Sequence, residues 1–168
     1  MLNRILRQFT QSPDGLHHAG CNLALTTGEL SFTAATAKTA LQLIAAAQHR
    51  VRVVGMSIYF KDTVVTDTPV LVKICRQTTA GTVGSSPALV KKDENMGETI
   101  QTTAGINYSG VEPTITDVLE TKEIHPQTGE KFFFPFAQEL YIKGGNRLGI
   151  QITSAQNQTA VVNIEVEE

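Results

Sequence analysis

Few residues in this chain stand at the spacings that chemistry requires. His17 and His18 lie just before Cys21, and all three are zinc-ligand types. A closed zinc site needs a second ligand pair at matching spacing, however, and His49 and His125 are isolated. Gly81-Thr82-Val83-Gly84-Ser85-Ser86 has the glycines of a phosphate-cradling loop, but no Lys-Ser or Lys-Thr follows and no helix is expected next, so it reads as a flexible turn. No G-x-S-x-G elbow, H-E-x-x-H pair or dinucleotide fingerprint occurs. The carboxylates Glu94, Glu98, Glu120 and Glu123 are scattered, with nothing to set one up as acid and another as base. The two cysteines, Cys21 and Cys75, do not make a disulfide framework and are expected to be free. Cys75 ends an apolar run and should pack as a small apolar group. The expectation is therefore a protein without catalytic residues, metal or cofactor.

Composition bounds the rest. A chain of 168 residues with 41% hydrophobic and 18% charged residues suits one globular domain with a real core. A net charge of -2 gives no reason to expect nucleic acid or an anionic membrane as partner, and basic residues do not interleave with aromatic ones into a single-strand platform. No apolar run reaches the ~18 residues of a membrane span, and the first residues lack a secretory signal. The expectation is synthesis in the cytoplasm, with the sequons at Asn107 and Asn157 unmodified.

The elements that would position any site read as strands. Glu139 to Lys143, Leu148 to Ile152 and Val162 to Glu167 alternate apolar and polar side chains, the period of half-buried strands. With Gly144-Gly145-Asn146 as the first turn, they predict a closing antiparallel meander. Glu29 to Thr33 is a short strand. Ala34 to Gln48 suits strand or helix and is assigned to strand because its neighbours are β-rich. In Arg50 to Lys61 the apolar parity changes at Val53-Val54-Gly55, which predicts a bulge. Val70 to Arg76 is expected as a central strand, and Val118 to Ile124 as another, followed by a turn at His125 to Gly129.

Residues 77 to about 117 are rich in Thr and Gly, and so long a loop should be either disordered or held by a partner. Four phenylalanines, Phe132, Phe133, Phe134 and Phe136, then fall together. One strand cannot turn them all inward, so some are expected at a subunit interface. At the N-terminus Leu2, Ile5, Leu6 and Phe9 form a helical stripe with Arg4 and Arg7 between, and Ser12-Pro13-Asp14-Gly15 breaks it. This is either a basic, apolar arm that orders on a partner or a frayed terminus. The fold class expected is all-β, an antiparallel β-sandwich, with residues 1–28 as arm and 29–168 as the sandwich domain.

The order of segments resembles the jelly-roll, tumour-necrosis-factor-like decoration (cement) proteins on the heads of tailed bacteriophages. The residues that carry the resemblance are Lys38-Thr39-Ala40-Leu41-Gln42-Leu43, Ser57-Ile58-Tyr59-Phe60, Pro69 through Thr82, Gly144 through Ile150, and Glu165-Val166-Glu167-Glu168. It covers about Glu29 to Glu168 and consists of strand and turn patterns. It implies a jelly roll, a homotrimer on the outer capsid surface at three-fold sites, and the major capsid protein as partner. It also implies that Met1 to Gly20 is the capsid-facing arm, with Leu2, Arg4, Ile5, Leu6, Arg7 and Phe9 as its contact residues. A receptor- or glycan-binding module of a tail fibre or spike is the alternative. The absence of Trp and the presence of only Tyr59, Tyr108 and Tyr141 weigh against it. An enzyme is a third reading, which a deep pocket of polar groups would revive.

Overall fold

The computed structural model describes residues 21–61, 67–135 and 137–168, and no helix occurs among them. Twelve strands, numbered β1 to β12 along the chain, form two antiparallel sheets. The first sheet runs β10 (Leu140–Ile142), β4 (Val51–Phe60), β12 (Gln158–Glu167), β1 (Asn22–Thr26) and β6 (Val90–Lys91). Within it β2 (Leu30–Phe32) also pairs with β12, and β9 (Gly129–Phe133) with β4. The second runs β7 (Thr103–Gly105), β3 (Lys38–Ile44), β11 (Arg147–Thr153), β5 (Val70–Gln77) and β8 (Ile115–Ile124). The fold is thus an all-β antiparallel sandwich.

Period-two patterning explains why these segments become strands and where the core lies. In β12, Ala160, Val162, Ile164 and Val166 are at most 1% exposed, while Val161, Asn163 and Glu165 turn to the other face. Leu148, Ile150 and Ile152 of β11 belong to the same core cluster from the second sheet. Burying each of the Val, Ile and Leu side chains is worth ~1.5–3 kcal/mol, before the entropy of ordering the chain is subtracted. The segment with mixed helix and strand character is strand β3, because Leu41 and Leu43 are drawn into this core. The parity change in β4 is a bulge: Glu165 pairs with Gly55 but Val166 with Val53, so Val54 is left unpaired.

Three expectations need correction. The closing strands do not form a meander, because β10 and β12 lie in the first sheet and β11 in the second. Gly145, at φ 79°, does turn the chain, but the turn carries it from one sheet to the other. Indeed, no two described strands that are consecutive in the chain pair with each other. The stretch from Cys21, assigned to the arm, is part of the sandwich: Asn22 to Thr26 pair with Glu167 to Asn163, and Cys21 N donates to Glu168 O at 2.9 Å.

The third correction concerns the Thr/Gly-rich segment, which packs on the sandwich of its own chain. Its β6 pairs with β1 and its β7 with β3, so the segment closes one side between the sheets, with Leu89, Met96 and Ile100 against the core. The Glu168 carboxylate fastens it, accepting from Gln101 N at 2.8 Å, from Thr102 N at 2.9 Å and from the Thr102 hydroxyl. Farther on, Glu112 accepts from Thr39 N at 2.7 Å and thereby ties residues 106–114 to β3. On the opposite side, the turn at His125 to Gly129 joins the edge strands β8 and β9 of the two sheets, which the Lys122–Glu130 ion pair also links.

Candidate functional site

The phenylalanine cluster divides according to strand parity. Phe132 pairs with Met56 and turns inward, 5% exposed. Phe133 pairs with Gly55 and turns outward, 72% exposed. Phe134 is half-buried against the core. Phe136 lies outside the described residues, as do Leu2, Arg4, Ile5, Leu6, Arg7 and Phe9. Of the predicted interface residues, then, Phe133 is the one the structure places on the surface.

Around Phe133 the outer face of the first sheet forms a depression of about 300 Å³. Its floor is Gly55 and Ser57 of β4, its aromatic walls are Phe133 and Tyr59, and Lys131, Asn163 and Glu165 complete the rim. All these side chains share one face because β9, β4 and β12 are in register: Ser57 stands between Lys131 and Asn163, and Gly55 between Phe133 and Glu165. The Asn163 amide donates to Ser57 Oγ at 3.2 Å, and Lys131 Nζ lies 4.5 Å from the centre of the Phe133 ring. Glu165 pairs with Lys92 at 2.7 Å. Tyr59 is 48% exposed and its ring lies across Gly129. The depression offers aromatic surface and neutral hydrogen-bonding groups, which suit a docking partner.

The remaining candidates are structural. The Gly81 to Ser86 turn spends its amides on the protein: Thr82 N donates to Val111 O at 2.8 Å and Ser85 N to Ile106 O at 3.1 Å. Cys75 is buried in β5, where burial pushes its thiol up to about 11, and its Sγ lies 3.4 Å from Gly149 O. Burial likewise raises the Cys21 thiol. Neither is an activated nucleophile. No group of three or more metal-ligating side chains occurs among the described residues, and His17 and His18 lie outside them.

Phe133 stands out in the sequence by type, whereas nothing there marks Tyr59, Ser57 and Asn163 as its neighbours. Their outward parity was visible in β4 and β12, but that β9 and β12 flank β4 was not. No protein-family model, curated protein or solved structure matches this chain.

Proposed function

We propose that the chain is a structural virion protein of a tailed bacteriophage, a trimeric decoration (cement) protein that binds the outer surface of the assembled head and stabilises it. The observation that carries this reading is the strand order. With β2, β6, β7 and β9 set aside as additions to the edges or to the main path, β1, β12, β4 and β10 make one sheet and β3, β11, β5 and β8 the other. Eight strands interleaved between two sheets in this way support the reading as a jelly roll, an architecture common in viral shells. Exposed Phe133 and Tyr59 supply the apolar surface for contacts between copies, and residues 1–20 the arm toward the major capsid protein. Such a clamp needs no cofactor, acts on neither nucleic acid nor membrane, and is not an enzyme. Because it binds only the assembled shell, it stabilises that state by linkage, and three-fold attachment makes weak single contacts effective.

The test is the solution mass of the purified protein, followed by co-sedimentation with heads that lack it. Three times the 18.2 kDa subunit mass, with saturable binding to heads, is expected. A monomer that leaves heads bare refutes the reading.

A second reading, a glycan-binding module of a tail fibre or spike, is favoured by one observation. Tyr59 and Phe133 flank a depression that also presents Ser57 and Asn163, a combination suited to a sugar ring. Binding of host polysaccharide that is lost in Phe133→Ala, by a protein that ignores heads, would establish this reading instead.

A further inference from the structure

We infer that one ordered water molecule sits between the outer face of the second sheet and residues 106–114, held by Tyr108 Oη and Gln42 Oε1. Gln42 is wholly buried, and its Nε2 donates to Gln77 Oε1 at 2.7 Å and to Thr79 O at 2.9 Å. Both amide hydrogens are therefore used, while Oε1 has no donor among the described residues. Tyr108 is 2% exposed, and its hydroxyl is also without a partner. The two groups are neighbours by register. Gly105 is the cross-strand partner of Gln42, and a Cβ on Gly105 would stand 2.6 Å from Tyr108 Oη. On the other side of Gln42 is Gly149 of β11, and Arg147, on the same face two residues before, carries a buried Nε that also lacks a partner.

Buried polar groups are almost always paired, with protein or with water. Tyr108 Oη and Gln42 Oε1 do not bond each other, since both are without a partner. A water between them satisfies both, because it accepts from Tyr108 Oη and donates to Gln42 Oε1, and Arg147 Nε, on the same face, is the further donor that would give it the three bonds typical of an internal water. Ions fit less well. The free Gln42 oxygen and the nearby Glu112 carboxylate oppose an anion, and the Arg147 guanidinium opposes a cation. The water would fasten residues 106–114 onto β3 and β11 and keep that face of the second sheet closed to partners.

The test is a crystal structure of the full chain, with a Tyr108→Phe counterpart, at a resolution that shows ordered waters. Expected in the wild type is one peak at ~2.6–3.1 Å from both Tyr108 Oη and Gln42 Oε1. In Tyr108→Phe that peak should weaken or vanish, because the water loses one of its hydrogen-bond donors. A direct Tyr108–Gln42 hydrogen bond, or no peak between them, overturns the inference. If Tyr108→Phe does not fold, the wild-type map decides alone.

Discussion

The Tyr59 ring lies across Gly129, its cross-strand partner: a Cβ on Gly129 would collide with Tyr59 Cδ1 and with Ile58 O. The missing side chain on β9 thus sets where one wall of the depression stands. Gly129→Ala should destabilise the fold by about 1–3 kcal/mol and change the near-ultraviolet circular dichroism of tyrosine. An unchanged urea midpoint would show that the ring is not confined by this glycine.

Phe132 and Phe133 should separate stability from association. Phe132→Ala empties a core position and should cost about 3–5 kcal/mol in chemical unfolding. Phe133→Ser alters an exposed position and should stay within about 0.5 kcal/mol, while its mass in solution falls toward 18.2 kDa. A Phe133→Ser protein that keeps the wild-type mass would remove this residue from the subunit contact.

Glu168→Ala should loosen one segment and leave the sandwich folded. The carboxylate accepts from the amides of Gln101 and Thr102, so hydrogen exchange at these two positions should speed up by about tenfold, the effect of losing a charge-assisted bond. Equal acceleration in β4 and β12 would instead indicate global unfolding.

Alkaline pH should destabilise the protein. Burial pushes the Cys75 thiol from 9.0 to about 11 and, with help from the Glu112 carboxylate, the Tyr108 hydroxyl from 10.0 to about 12. The folded state holds these protons after the unfolded state has released them. Stability is therefore intact below pH 9 and falls as pH rises through 11 for Cys75 and through 12 for Tyr108, at up to ~1.4 kcal/mol per pH unit for each group. Cys75→Ala should flatten the lower part of this fall in urea midpoints measured against pH. A midpoint independent of pH between 9 and 12 would contradict both assignments.

What the sequence made legible was each strand's own periodicity; what it hid was the partner. The outward parity of Asn163 and Glu165 and the bulge at Val54 follow from side-chain type alone, because each records which neighbour is buried. Nothing comparable marks β10, β11 and β12 as members of different sheets, since alternation looks the same whichever strand lies alongside. The turn at Gly145 is equally silent, as a positive φ serves a hairpin and a sheet-to-sheet corner alike. The Thr/Gly-rich segment was hard to read because two- and three-residue ladders and single long-range contacts hold it. Glu112 to Thr39 and Glu168 to Thr102 are examples, and such contacts leave no period in the sequence. The depression was half legible: Phe133 stood out by type, whereas Tyr59, Ser57 and Asn163 became its neighbours only through pairing.

That no described strand pairs with the next one in the chain bears on how fast this protein reaches its native state. A hairpin could serve as a local nucleus, but here even the shortest-range ladder requires β5 (Val70–Gln77) and β8 (Ile115–Ile124) to meet across the whole Thr/Gly-rich segment. The entropy of closing those loops must be spent before any ladder rewards it, which places folding in the millisecond-to-second range of high-contact-order sandwiches. During that interval the apolar faces of β4 and β12 are uncovered, so newly made copies are most prone to aggregate before folding is complete.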